Sequence, residues 1–431
     1  MFKVLFIVIL ISTNLFAQKI LTAEEAISIG LKNNYDIQIA RNSLEISKNN
    51  TGKGTAGFLP TLNISGNHQY AKSQQETNSP FSFGDSDSRT SSAGINFSWT
   101  LFDGFRMFAE SSRYNELAKL GEHQSRNIIE NTVVAILHSY FNSVQQQQLL
   151  QVSGNTLEIS KTRLEKEKIR QELGSVSSTD YLNAKVAFNN DNAEYLNQQL
   201  NVLIAKKNLN ILLGRDPLIE LEVAGEILIP QIELNQQELM ELAEKNNSTL
   251  LAAETDKLVA EKNIQLSRSA IYPRLSFDAS YFYTDRTQST NRFTYDIKSN
   301  SKDAAVGFSL SLNLFNGWRD NIDIQNAKID AKNKELAFQN AKNNLAGLVR
   351  EKFVTFEKRM ELLLLEQQNV EAARQNLELQ KDRYQIGTVT SLEFRDAQVN
   401  LARAETALIV SRFQARISRL EIEQLIGKIE I

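Results

Sequence analysis

Leu101-Phe102-Asp103-Gly104-Phe105-Arg106 returns, changed at two positions, as Leu314-Phe315-Asn316-Gly317-Trp318-Arg319. On the N-terminal side of each stretch the sequence alternates between apolar and small polar residues. On the C-terminal side a long run without proline begins. Ile95, Phe97, Trp99 and Leu101 alternate with Gly94, Asn96, Ser98 and Thr100, and Val306, Phe308, Leu310, Leu312 and Leu314 do the same against Gly307, Ser309, Ser311 and Asn313. Period two is the mark of a strand with one apolar face. After the turn, apolar residues recur at three and four, as in Val133, Ile136, Leu137, Tyr140 and Val144, and again in Leu345, Leu348, Val349, Phe353, Phe356, Met360 and Leu363. That spacing is helical. Each stretch therefore marks the change from strand to a very long helix, on the order of 100 Å at about 1.5 Å per residue.

The two stretches belong to one internal duplication. Lys32-Asn33-Asn34 matches Lys245-Asn246-Asn247, and subtracting 34 from 247 gives an offset of 213. The same offset pairs Pro60 with Pro273, Tyr70 with Tyr283, Gly174 with Gly387, and Leu213-Gly214 with Ile426-Gly427. Repeat one is expected over 18–216, a linker with some β character over 217–231, and repeat two over 232–431. Each repeat opens with short helices; in the first, Thr22 and Glu25 have the spacing of a capping box. Strands are expected at about 61–71 and 93–102, then at about 274–284 and 305–315. Polar loops, 73–90 and 284–303, join them. Helical hairpins follow over about 104–213 and 317–427, with Asp103 and Asn316 where N-caps are wanted.

Composition narrows the function. The 431 residues carry a formal charge of -3, which leaves no basic footprint for nucleic acid. There is no Cys, and the three His, at 68, 123 and 138, lack ligand spacing, so neither metal nor cofactor is expected. No Ser-His-Asp arrangement or Gly-rich phosphate loop is legible, which argues against an enzyme. Lys3, the apolar run Val4 to Ile11 and Leu15-Phe16-Ala17 read as a signal peptide over 1–17. That apolar run is too short to cross a bilayer as a helix. Strands of about ten residues with one apolar and one small polar face suit a tilted crossing of an outer membrane. Trp99, Tyr70, Tyr281 and Tyr283 are placed for interface girdles. A soluble sandwich shows similar alternation, and a structural periplasmic coiled coil or surface fibre shares the helices; neither accounts for membrane-length strands appearing twice.

Four strands cannot close a barrel, since bacterial outer-membrane barrels have at least about 8. An open edge in lipid leaves backbone groups unpaired at several kcal/mol each. Subunits must pool strands. Two would give eight strands and an interior filled by side chains, so three, giving twelve, is the expectation for a conduit. The fold class expected is α+β: four strands per subunit contributing to a trimeric 12-stranded outer-membrane β-barrel, continued by a long α-helical barrel.

At this point the residues resemble the TolC family of outer-membrane efflux and secretion channels, over nearly the whole mature chain. The duplicated order, the Leu59-Pro60 entry to a strand, the two Leu-Phe-Asp/Asn-Gly turns, and the hairpin turns Gly174-Ser175-Val176-Ser177-Ser178-Thr179-Asp180-Tyr181 and Gly387-Thr388-Val389-Thr390-Ser391-Leu392-Glu393-Phe394 carry the resemblance. It implies a homotrimer in outer-membrane lipid that extends into the periplasm and conducts passively. A periplasmic adaptor would dock on the turns at Gly174, Ser175, Val176, Gly387, Thr388 and Val389, with an inner-membrane pump beyond it selecting the cargo. Glu393 and Asp396 match the acidic residues that narrow the pore in relatives, and a carboxylate ring favours cations. Both also fit as helix-start acids favoured by the dipole. Tyr384 and Asp180 match residues that hydrogen-bond in the closed state of relatives, while Val389 stands where those relatives carry a tethering Arg.

Overall fold

The computed structural model describes residues 20–75, 85–173, 177–230, 235–291 and 294–429. The signal peptide expected over 1–17 and the turn residues Gly174, Ser175 and Val176 lie outside the described residues. The elements run α1 Ala23–Asn33, α2 Tyr35–Asn49, β1 Thr61–Ser73, β2 Ser86–Asp103, α3 Arg106–Glu172, α4 Ser178–Leu212, α5 Gln236–Asn246, α6 Ser248–Ser269, β3 Arg274–Thr290, β4 Ile297–Ser311, α7 Arg319–Gln385 and α8 Ser391–Leu425. Moving α3 and α4 by 213 gives the limits of α7 and α8 at both ends. The duplication is thus structural to the residue in the hairpins. It is looser ahead of the strands. Gly52, Gly54 and Gly57 end copy one's second helix early, whereas Gln265, Ser267 and Ala270 let α6 run on to Ser269.

The chain forms two compact units. One holds residues 42–75, 85–124, 249–291 and 294–341 of the described chain and contains a four-stranded antiparallel sheet in the order β1-β2-β3-β4. The strands span 13, 18, 17 and 15 residues, longer than the ten or so read from the alternation. Much of the stretch expected as loops is paired strand: Ser86 faces Thr290 and Gln288 faces Ile297. These extensions are polar on both faces, so hydrophobic periodicity gives no sign of them, yet backbone pairing continues. β4 falls short of the expected 315 and stops at Ser311, opposite Arg274, where β3 begins. Both outer strands, β1 and β4, are exposed along nearly their whole length.

Strand passes to helix through two consecutive left-handed residues in each copy, Gly104-Phe105 and Gly317-Trp318, with φ near +70°. A bulky residue in that region costs roughly 1–2 kcal/mol. Phe105 is held there by edge contacts with Phe102 and Tyr272 at 5.1 and 6.0 Å. Asp103 then caps α3, both carboxylate oxygens accepting from Met107 N–H at 3.1 Å.

The other unit holds residues 20–41, 125–248 and 342–429 of the described chain. Its core gathers Ile27, Ile136, Leu137, Tyr140, Val144, Leu209, Leu213 and Leu420. The stretch read as a linker carries Leu221, Val223 and Ile227 into that core. It is tied down by an isolated parallel bridge between Val223 and Leu21. From Val349 the buried residues of α7 fall every seventh position: Phe356, Leu363, Val370, Leu377 and Tyr384. A seven-residue repeat winds helices into a slight left-handed supercoil. No described helix is long and apolar enough to cross a membrane.

Candidate functional site at the helical hairpin turns

The turn between α7 and α8 is fixed by its backbone. Gly387, at φ +77°, ends α7, with Gly387 N–H donating to the Tyr384 carbonyl at 3.2 Å and Thr388 N–H to the Arg383 carbonyl at 2.9 Å. This pair of bonds satisfies carbonyls left over at a helix end and needs the left-handed residue between them. Thr390 then caps α8. Its hydroxyl accepts from Glu393 N–H at 3.2 Å, while the Glu393 carboxylate accepts from Thr390 N–H at 2.7 Å. The bond from the Thr390 backbone, then that from its hydroxyl, holds the Glu393 carboxyl below its ordinary pKa. Glu393 is therefore a helix-capping acid, and one of its oxygens makes both bonds. Asp396, one turn on, is exposed.

Tyr384 and Phe394 stack across this turn, centroids 4.9 Å apart and rings 5° from parallel. Leu377, Ala397 and Val389 pack on the pair. Val389, standing where a tethering Arg was expected by resemblance, is thus part of a small apolar cluster. The expected bond between Tyr384 and Asp180 is absent here. The Tyr384 hydroxyl donates instead to Glu167 on α3, a fully buried carboxylate. Asp180 is taken up locally in the first turn of α4: its N–H donates to the Ser177 hydroxyl at 3.3 Å, and that hydroxyl donates to its carboxylate at 2.9 Å. Lys166 adds a second tie, its ammonium 4.0 Å from the Tyr384 ring centroid and 3.1 Å from the Tyr384 carbonyl. Burial, then the bond to Glu167, pushes the Tyr384 phenol up to about 12.

Two turns further from the hairpin ends lies a polar cluster that the sequence reading missed. Arg395 on α8 makes a bidentate ion pair with Asp191 on α4, at 2.6 and 2.7 Å. Ser160 on α3 donates to the same carboxylate. Gln398 donates to Ser160 at 3.2 Å and to the Thr156 carbonyl at 2.8 Å. Thr156, Ser160, Arg163 and Glu167 recur at three and four, so one face of α3 is polar here. Arg163 is buried on that face; desolvation first, then the neighbouring Arg395 charge, lowers its pKa. Both hairpins are thus joined twice: α3 to α7 through Glu167 and Tyr384, and α4 to α8 through Asp191 and Arg395. In the sequence these residues read as ordinary charges on long helices. A signal existed in the repeat, because the matching positions are Gln380, Gln171, Ala404 and Leu182. Each pair is lost at both ends at once.

The sequence model described as Outer membrane efflux protein matches residues 26–215 and again 239–428. The chain belongs to the outer membrane efflux protein family. Both matches start and stop 213 residues apart, so the family model matches the two copies in the same register. Among relatives, Outer membrane protein TolC of Escherichia coli (strain K12) is 23% identical over 383 residues, covering 86% of this chain and 75% of that protein. The Probable efflux pump outer membrane protein TtgC of Pseudomonas putida is 22% identical over 431 residues, covering 94% and 82%. Among solved structures, the Campylobacter jejuni CmeC outer membrane channel superposes with a TM-score of 0.79 at 17% identity, covering 94% of this chain and 85% of that one. The outer membrane protein VceC of Vibrio cholerae gives 0.75 at 18%, covering 95% and 97%. At such identities the structures speak for the fold. The family is one of outer-membrane efflux channels rather than of enzymes, and the chain carries both β and α parts of the fold expected from sequence.

Proposed function

We propose that three copies of this chain pool their four-stranded sheets into one twelve-stranded barrel and act as the passive outer-membrane exit of an efflux or secretion system. The observation that supports it is a sheet with two unpaired outer strands, β1 and β4, in a chain of an outer-membrane family. Open edges are not tolerated in lipid, and twelve is an even strand number of ordinary size for such barrels. The first 17 residues act as the export signal, and the chain performs no catalysis. A periplasmic adaptor docks on the hairpin turns, with Gly174, Ser175, Val176, Gly387, Thr388 and Val389 as its footing, and an inner-membrane pump behind it supplies energy and chooses cargo. Asp396 and the free oxygen of Glu393 form the cation-favouring constriction; Asp180 serves its helix start.

The test is electrical. Purified protein that runs as a heat-sensitive trimer and gives discrete, cation-selective conductance in planar bilayers is the expected result. Asp396→Asn with Glu393→Gln lowers the cation preference and leaves the trimer intact. A soluble rod without conductance would favour the structural fibre and end this reading.

A further inference from the structure

Beside the α7–α8 turn, α3, α7 and α8 enclose a cavity of about 530 Å³. That lies within the range of small-molecule sites, about 300–1,000 Å³. Its apolar side is built from Ile159, Leu377, Phe394 and Leu401, which belong to the cluster around the Tyr384–Phe394 stack. Its polar side is mainly basic. Arg163, Lys166, Arg374 and Lys381 line it against Glu158 and Glu378.

These cations are not equally engaged. Arg374 pairs with Glu405 at 3.3 Å, and Lys166 donates to the Tyr384 carbonyl. Arg163 differs. It is 4% exposed, it lines the cavity, and its Nε is buried with no hydrogen-bond partner. A buried charge is costly unless it is paired and hydrogen-bonded. Asp191 is held by Arg395, while Glu167 gives one oxygen to Tyr384 and keeps the other buried without a partner. Neither acid meets the Arg163 Nε. The repeat has no use for these charges elsewhere: moving Arg163 and Lys166 by 213 gives Asn376 and Leu379. The two cations are therefore particular to α3, not part of what each copy needs to build its helices.

We infer that this cavity binds an organic anion with an apolar body, its acid group on Arg163 and its body against Leu377, Phe394 and Leu401. An ionised oxygen that accepts from the guanidinium makes a charge-assisted hydrogen bond and supplies the partner that Arg163 lacks. The apolar wall is what a bare inorganic anion leaves uncovered. Bound there, the ligand joins α3 of the first hairpin to α7 and α8 of the second. The inference goes beyond the channel reading and does not rest on it.

Calorimetric titration of the full-length protein in detergent, with the heat of empty micelles subtracted, tests it. Indole-3-acetate and octanoate are the anionic probes. Indole-3-acetamide and inorganic phosphate each lack one half of the chemistry. Saturable binding of at least one acid is expected, about tenfold or more tighter than the amide or phosphate, the worth of one charge-assisted hydrogen bond. The tighter of the two acids tells an aromatic ligand from a fatty one. Arg163→Met is expected to lose about tenfold in affinity for that acid. Lys381→Glu, at an exposed position on the lining, loses roughly threefold, as fits an exposed charge. No saturable binding of either acid overturns the inference. So does an amide or phosphate that binds as tightly as the acids. A folded Arg163→Met with wild-type affinity also overturns it, and Arg163 then only balances Glu167. Where that variant does not fold, wild-type affinity in Lys381→Glu has the same force.

Discussion

Gly104 and Gly317 hold equivalent positions in the two copies and the same φ, yet one is enclosed and the other open. The hairpin turns differ in a second way. Copy two places Tyr384, Phe394 and Arg395 where copy one has Gln171, Tyr181 and Leu182. Duplication makes the two halves equivalent in sequence and element order, and each departure from equivalence marks a task that one half alone performs. At the sheet the departure is that β2 of copy one meets β3 of copy two inside the chain, while β1 and β4 are its outer strands. At the hairpins it is that copy two's side chains reach across to copy one, while copy one's own slots stay neutral.

The largest expected effect comes from unbalancing the hairpins. Arg395→Leu leaves the part-buried Asp191 carboxylate without its ion-pair partner, and breaking such a pair costs about 3 kcal/mol, the low end for buried pairs. Leu182→Arg, the mirror change at an exposed site of copy one, stays within about 0.5 kcal/mol. Urea unfolding of the detergent-solubilised protein, followed by helix circular dichroism, measures both; equal losses would mean that the copies are not distinguished here. Next comes Gly104→Ala, where overpacking of about 1–3 kcal/mol adds to left-handed strain of about 1 kcal/mol. Gly317→Ala meets no neighbour within 4 Å and costs only the strain, about 1 kcal/mol. Equal losses for the two glycine variants in the same unfolding measurement would mean that the enclosure of Gly104 carries no cost.

Tyr384→Phe removes a buried hydrogen bond to a carboxylate, about 1.5–3 kcal/mol. It is expected to raise single-channel conductance, while Asp180→Ala leaves it unchanged; the reverse ranking would restore Asp180 as the tether. The phenol also gives a pH signature. Its folded pKa, about 12, lies above the ordinary 10. The stability it contributes is whole below pH 10 and is lost as pH rises from 10 towards 12. In absorbance titrations the Tyr384→Phe variant should therefore lack a late-ionising tyrosine that the wild type shows. The smallest effect is Thr390→Ala, about 1 kcal/mol for a lost helix cap, seen as faster amide exchange in the first turn of α8.

Much of this was legible before the structure. The offset of 213 set where strands and hairpins were expected, because period two and period 3.6 are written directly in the apolar residues. The strand extensions were not, since residues such as Ser86–Ser88 and Thr287–Ser289 are polar on both faces and their pairing is a matter of backbone alone. Nor was the choice of Glu167 over Asp180 as the partner of Tyr384. Both are acids on a copy-one helix, and only the packing of α3 against α7 says which one the hydroxyl reaches. Glu393 was read as both gate and cap; the cap is the role whose bonds are present.

The sequence by itself determined that this chain is a doubled unit of membrane strands and long helices that cannot close alone, because repeats, periodicity and the scarcity of breakers are local properties. Tertiary structure alone decided which buried charges pair across the hairpins, and that β4 stops at Ser311 while its twin runs on. Those outcomes depend on what stands beside a residue in space, and sequence separation of some two hundred residues carries no record of that neighbour.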